Sequence, residues 1–528
     1  MKDVPTIGRM LAVQASLFPD RIGARDLDRA MSFREWNRRA CRLGNALLGL
    51  GLRKGDRVGV LAYNRVEWAE IYAATAKAGL IAVPLNFRLT GAEIAFIADN
   101  AGLSALIVED ELAPLLADVR TGLPVPECAM IRLASAGAAR ALGYRDYEEL
   151  IAAAIDGEPT AEVALGDPWT LMYTSGTTGR PKGVLRSHRA AALLSLVTAL
   201  SFGFDRNDGA LLVMPMCHAN SLNFFGTFAY LGAPMMIYSR KSFDPEHCVA
   251  LLGAGETSFT SLVPTHYIMM LRLPPAVRAR HDLRRVARLL VSSAPARPDT
   301  KRAVMEMFPN SGLYELYGSS EAGWVTLLRP EEQFTHLGSV GREFAATERI
   351  RILDAEGREV PDGEAGELYS ATPYTFDRYW GLEERTREAF RGEYCSVGDM
   401  ARRDADGYIH LVDRKSNMII SGGENIYPSE VESVLGAHPS VQDVAVVGLP
   451  DAKWGERVHA VLILRDGAAL SEAELLGWCR DRIAGYRRPR SCTFLREEEV
   501  PRTATGKILH RVLRTQLSEA EAGQGGAP

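Results

Sequence analysis

The chain is short of the features that mark a secreted, membrane-spanning or nucleic-acid-binding protein. Its seven cysteines are scattered through 528 residues with no C-x-x-C pair, which reads as reduced thiols in a cytoplasmic protein rather than a disulfide framework. Cys217 adjoins His218, but adjacency in sequence does not make a nucleophile and its base, and a half-buried cysteine is the plainer reading. No apolar run is long enough to span a bilayer. The start, Met1-Lys2-Asp3-Val4-Pro5-Thr6-Ile7-Gly8-Arg9, lacks the apolar centre of a signal peptide. A net charge of −5 argues against a general nucleic-acid binder. No short-period repeat is present. The Walker pattern G-x-x-x-x-G-K-[ST] is also missing, because Gly179 is followed by Arg180-Pro181-Lys182-Gly183.

What is present is a globular composition, 47% hydrophobic and 24% charged, in a chain too long for one ordinary domain. The first third alternates helix and strand patterns. Phe33 to Leu50 and Val66 to Lys77 have helical spacing, while Arg57–Ala62, Leu80–Leu85 and Ala105–Val108 are short apolar runs. This βαβα rhythm predicts parallel sheet covered by helices on both faces. It resumes with strand patterns at Ala210–Pro215, Pro234–Tyr238, Thr257–Val263 and Arg288–Ser292. A helix is expected to open at Asp244-Pro245-Glu246, with Asp as N-cap and Pro at the first helical position. From about Gly338 the strands shorten and Gly/Asp/Pro turns multiply, predicting an antiparallel or barrel-like appendage. Beyond Asn417 the pattern predicts helices at Glu430–Leu435 and Glu472–Ile483, strands near Val444–Val447 and Val458–Leu464, and a frayed tail after Ser518.

The most informative stretch is Tyr173-Thr174-Ser175-Gly176-Thr177-Thr178-Gly179-Arg180-Pro181-Lys182-Gly183-Val184. It follows the strand-like Trp169–Tyr173 and precedes a helix-like run from Ser187 to Leu200. Its glycines let backbone N–H groups approach an anion, and its hydroxyls and two cations add donors. A Gly/Thr-rich surface loop is the plain alternative, but such loops rarely combine paired glycines, a threonine pair and Pro-Lys-Gly. The residues read as a polyphosphate-binding loop.

This stretch resembles the phosphate loop of the adenylate-forming superfamily, which includes acyl-CoA synthetases, peptide-synthetase adenylation domains and firefly luciferase. Further motifs match in order as far as Lys507. The resemblance implies a large N-terminal domain, residues 1–412, of two parallel α/β subdomains plus a small β-barrel-like subdomain. A hinge at 413–416 and a smaller mobile α+β domain at 417–528 would follow. On that resemblance Thr174, Ser175, Gly176, Thr177, Thr178, Gly179 and Lys182 grip ATP, and Ser293-Ala294-Pro295 matches the adenine loop. Tyr317 packs on adenine, Gly318 belongs to the ATP/AMP site, Ser320 bonds the α-phosphate where Thr is usual, and Glu321 binds Mg2+. Asp399 and Arg414 hold the ribose. His218 lies between the carboxylate pocket and the thiol tunnel, and Lys507 is the adenylation lysine.

Ser416 stands at the hinge, where Asp or Lys is usual, with Lys415 as a possible substitute, and Gly422-Gly423 lines the CoA tunnel. Asn220, Ser221, Asn223, Phe224, Phe225, Tyr314 and Trp324 fall where acid-pocket residues are expected. That mixture fits an aromatic or medium-chain monocarboxylate, and no cation in these segments calls for a second carboxylate. Arg487, Arg488 and Arg490 are either a CoA-phosphate patch or plain basic surface.

The implied activity is AMP-forming acid–CoA ligation with ATP and CoA as co-substrates. The alternatives are a stand-alone adenylation enzyme loading a carrier protein, luciferase-type oxidation and a non-catalytic nucleotide-binding regulator. No carrier domain follows Lys507, and intact Glu321, Asp399, Arg414 and Lys507 weigh against the regulator. A homodimer is a family-level expectation only.

Overall fold

The computed structural model describes residues 4–135, 137, 142–174, 181–292, 296–422, 424–480, 482–502 and 508–524. The chain forms two compact units, residues 1–350 with 370–397, and residues 351–369 with 398–528.

The first unit holds two twisted sheets. In the eight-stranded one the interior strands Pro168–Thr174, Ile81–Leu85, Arg57–Leu61, Leu103–Glu109 and Met130–Leu133 run parallel. Their apolar runs are buried on both faces, as parallel strands require. In the nine-stranded sheet the parallel strands are Ile22–Arg25, Met235–Ile237, Ala210–Leu212, Phe259–Leu262, Arg288–Ser292 and Gly312–Ser319. The βαβα expectation therefore holds. The helix Glu67–Ala78 is buried along its whole length, as its Ala-rich sequence permits. Asp244 caps its helix through His247 N–H at 3.1 Å, with Pro245 next, as the sequence reading expects.

Both sheets end in antiparallel strands, and these carry several of the residues that the resemblance marks for the site. Lys182–Ser187 pairs antiparallel with Pro168–Thr174, so Thr174 faces Lys182 across a hairpin. The expected passage from loop straight into helix is thus corrected: a strand intervenes, and the helix runs His188–Phe202 with Ser187 as N-cap. Arg378–Tyr379 then pairs with Val184 and Leu185 on the outer edge. In the other sheet Gly312–Ser319 turns back as Gly323–Leu328.

The second unit contains a four-stranded antiparallel sheet, Arg351–Leu353, Gly366–Tyr369, Asp399–Arg403 and Ile409–Arg414, matching the predicted appendage. It also contains a five-stranded sheet built on the long hairpin Val441–Asp451 and Gly455–Leu464. The helix expected over Glu472–Ile483 stops at Cys479. Of the tail expected to fray after Ser518, residues 519–524 instead continue the helix His510–Gln524, and 525–528 lie outside the described residues. Leu513 and Leu517 pack against Val447, Leu449 and Val461, and Arg514 pairs with Glu456 at 2.6 Å. A composition rich in Ala and Glu hid that apolar face.

Candidate active site

Around the phosphate loop, Ser175, Gly176, Thr177, Thr178 and Gly179 lie outside the described residues, as do Ser293, Ala294, Pro295, Gly423 and Lys507. The loop's two stems are described. Thr174 ends one strand and Lys182 begins the next, half-buried and in register with each other. The Lys182 ammonium sits 4.2 Å from the centre of the Tyr379 ring, a cation–π distance.

The turn Ser320–Ala322 joins strands Gly312–Ser319 and Gly323–Leu328. Its N-terminal strand brings Tyr317, half-buried, and Gly318 to the sheet's end. A Cβ on Gly318 would lie 2.2 Å from the Gly323 carbonyl oxygen, so only glycine lets the hairpin close. Ser319 Oγ accepts Ala322 N–H at 2.9 Å and tightens the turn. Glu321 is buried, 7% exposed, and its Oε1 accepts the Tyr379 hydroxyl at 3.0 Å. Its carbonyl accepts Phe376 N–H at 2.7 Å, and Ala322's accepts Thr372 Oγ1–H at 3.1 Å. Two sequence-predicted residues from different sheets, Lys182 and Glu321, thereby meet one tyrosine that the sequence reading missed.

Behind this turn lies a second unpredicted residue, Arg186, fully buried on Lys182–Ser187. Its guanidinium donates to Tyr374 O at 3.1 Å and Asn223 Oδ1 at 3.3 Å. Burial pulls its pKa down to about 10 against the raising fields of Asp377, Tyr374 and Glu321. The cation that the pocket segments lacked thus arrives from the phosphate hairpin, and backbone and amide oxygens take both its terminal nitrogens.

The residues expected to line the acid pocket divide around the helix Ala219–Leu231. Asn220 Nδ2 donates to Ser261 and Ser292 hydroxyls at 3.0 Å each. Asn223 faces the opposite way, to Arg186. Phe224 packs 4.6 Å from Phe259 and 5.7 Å from Trp324, whose Nε1–H donates to Thr198 Oγ1 at 3.0 Å. Tyr314 joins this group through Phe202 at 4.9 Å. Ser221 and Phe225 are buried, Ser221 donating to Met214 O and Phe225 packing at a tilt against Trp36 at 5.7 Å and Tyr72 at 5.4 Å. Thr198 and Phe202 come from a helix that the motifs did not flag.

His218 immediately precedes that helix and makes no side-chain cap. It is half-buried, with Nε2 enclosed and unpartnered. Burial, with help from the charge of Arg88, pushes its pKa down to about 4, so the ring is neutral at pH 7. Buried Cys217 has its thiol pushed up to about 12 by desolvation and is no thiolate nucleophile.

In the second unit Asp399 and Arg414 are register partners, paired at 3.1 Å. The exposed turn 415–417 follows and contains Ser416. Lys415 pairs with Glu367 at 2.9 Å. Asp413 accepts from Ser429 N–H at 2.9 Å and Asn417 Nδ2–H at 3.1 Å, clasping this turn to the helix Pro428–Gly436. Gly422 has φ +62° and a Cβ there would meet the Trp454 ring at 2.9 Å. Arg487 pairs with Glu430 at 3.0 Å, Arg488 bonds Ile483 O at 3.1 Å and Arg490 lies 4.4 Å over the Trp454 ring.

The sequence model described as "AMP-binding enzyme" matches residues 11–380, and that described as "AMP-binding enzyme C-terminal domain" matches residues 430–507. The chain belongs to the AMP-binding enzyme family. It is 34% identical over 506 residues to feruloyl-CoA synthase from Amycolatopsis sp, covering 96% of this chain and 97% of that one. Among solved structures it resembles the anthranilate CoA ligase AuaEII in complex with anthranoyl-AMP, with TM-score 0.87, 28% identity, and 99% and 100% of the two chains covered. It also resembles the Bacillus subtilis o-succinylbenzoate CoA synthetase MenE in complex with ATP and magnesium ion, with TM-score 0.82, 28% identity, and 95% and 98% covered. This AMP-binding enzyme is an acid–thiol ligase that activates a carboxylic acid with ATP as acyl-AMP and transfers the acyl group to CoA. No helix among its described residues is long and apolar enough to cross a membrane.

Proposed function

We propose that the acid is an aromatic or medium-chain monocarboxylate seated against Phe224, Trp324 and Tyr314. The packed aromatic wall that these form with Phe202 and Phe259 carries the reading. Relatives that take ferulate and anthranilate support it. Arg186, held by Tyr374 and Asn223, serves as a strut rather than a receptor for a second carboxylate. A panel of acids assayed for pyrophosphate release tests this: a dicarboxylate turned over best would refute it.

The roles of individual residues follow from the chemistry. The substrate carboxylate attacks the α-phosphorus in line, pyrophosphate leaves, and charge gathers on the α-phosphoryl oxygens. Residues 174–182 cradle the phosphates, Ser320 donates to the α-phosphate, Ser293–Pro295 and Tyr317 hold adenine, and Asp399 with Arg414 holds the ribose. Lys507 supplies positive charge for this step alone. The residues fit Mg2+, because Glu321 offers a buried hard oxygen whose orientation Tyr379 fixes. Mg2+ keeps several waters and is held largely by substrate phosphates, so one carboxylate would be enough. When bound, the ion offsets phosphate charge.

Residues 417–528 then swing on 413–416 against 1–412, withdrawing Lys507 and bringing Gly422-Gly423 to the pantetheine arm. His218, an uncharged imidazole at working pH, lies between acid and thiol. All seven cysteines are free thiols, which supports a cytoplasmic setting. The division of labour is tested by Lys507→Ala, which should lose pyrophosphate release yet convert supplied acyl-adenylate and CoA to thioester. Loss of both half-reactions in a folded variant would refute it.

A further inference from the structure

Three side chains from separate stretches converge at the edge of the phosphate hairpin. Tyr379 lies on the two-residue strand that closes this edge, opposite Val184. Its ring is wedged by Phe376 at 4.8 Å and by Cys395 and Val184, and it is almost wholly buried, 3% exposed. Its backbone N–H is fixed by Thr386 Oγ1 at 3.0 Å. From this rigid seat the ring face meets the Lys182 ammonium at 4.2 Å, and the hydroxyl donates to Glu321 Oε1 at 3.0 Å. A glutamate has three free side-chain torsions and a lysine four. Holding both before ligand arrives removes ordering that binding would otherwise have to impose. The hydroxyl occupies one carboxylate oxygen and leaves acceptor capacity on the carboxylate for a cation. The ring, being neutral, holds the ammonium without cancelling its charge toward phosphate.

We propose that Tyr379 is a positioning residue for adenylation, setting the Glu321 carboxylate for the metal and the Lys182 ammonium for the triphosphate from one side chain. This rests on the reading of Glu321 as the metal-binding carboxylate. The two contacts are separable. Tyr379→Phe removes the hydroxyl and keeps the ring, whereas Tyr379→Leu removes both.

The test is Mn2+ binding to the full-length enzyme with ATP, followed by the paramagnetic resonance signal of free Mn2+. ATP binding in EDTA and thermal midpoints are measured alongside. Tyr379→Phe should weaken Mn2+ binding about tenfold, the value of one hydrogen bond to a charged group. Its metal-free ATP affinity should stay within about twofold of the parent, because the ring contact remains. Tyr379→Leu should weaken both. Glu321→Gln calibrates the metal reading. If Glu321→Gln weakens Mn2+ binding and Tyr379→Phe does not, the positioning role falls while the reading of Glu321 stands. If Glu321→Gln has no effect, the reading falls and the proposal with it. A Tyr379→Phe protein that lowers the thermal midpoint with unchanged Mn2+ binding also overturns the proposal, since that outcome marks a purely structural tyrosine.

Discussion

Replacing His188 by phenylalanine isolates the cost of keeping an imidazole neutral inside this enzyme. His188 is fully buried, stacks on Trp169 at 5.9 Å, and neither ring nitrogen has a partner. Desolvation lowers its pKa from 6.5 to about 4, more than the nearby Asp167 raises it. Below pH 6.5 the unfolded chain therefore takes up a proton that the folded chain refuses until about pH 4. Stability supplied by the neutral ring is present above 6.5 and lost as pH falls through that window. At 1.36 kcal/mol per pH unit, moving from the unfolded pKa to pH 5 costs about 2 kcal/mol at this one site.

Phenylalanine keeps the stacking surface, has no proton site and sacrifices no hydrogen bond. The variant should match the parent at pH 7 within about 1 kcal/mol and lead it by about 2 kcal/mol more at pH 5. Urea midpoints of the first unfolding transition at the two pH values give the comparison. Parallel loss of stability in both proteins would show that His188 titrates near its ordinary value and would refute the reasoning. His218, His266 and His459, also held near 4 by burial, add to the same acid sensitivity.

Other outcomes follow from single contacts. Lys301 and Glu315 form a buried ion pair, so Lys301→Met should destabilise by about 3–5 kcal/mol in denaturant titrations, and Lys301→Met/Glu315→Leu should recover most of it. Gly422→Ala forces a side chain into a left-handed backbone against Trp454. It should cost about 1–2 kcal/mol and slow thioester formation from supplied acyl-adenylate while sparing pyrophosphate release. Trp324→Leu opens the aromatic wall and releases Thr198. It should move the preference in an acid panel toward bulkier acids by about tenfold or more. Because His218 is already neutral, thioester formation should show no rate limb near pH 6.5, and a limb there would contradict its burial.

The sequence made the parallel sheets legible because their strands are uninterrupted apolar runs. Arg288–Ser292, for instance, has the predicted limits. The strand Lys182–Ser187 was not legible, since Lys-Gly at its start and Arg186 within it break the apolar pattern. Only the partners of Arg186, 37 and 188 residues away, explain a cation there. Tyr379 was hidden for the same reason: Glu321 lies 58 residues away, and nothing local marks a tyrosine in an Arg-Tyr-Trp run as the partner of that carboxylate. Motif matching named the candidate groups for substrate, and the side chains that hold those groups appear only once the chain is folded. The terminal helix escaped because its apolar contacts, Leu513 and Leu517, are few among many small and acidic residues.

The phosphate segment hangs between two ladder-paired strands, with Thr174 and Lys182 as facing rungs. Side chains on such rungs alternate faces, so slipping either stem by one residue would turn Lys182 away from Tyr379. Any change to the chain between Thr174 and Lys182 that keeps this pairing therefore leaves the lysine facing Tyr379, and one that shifts the pairing does not.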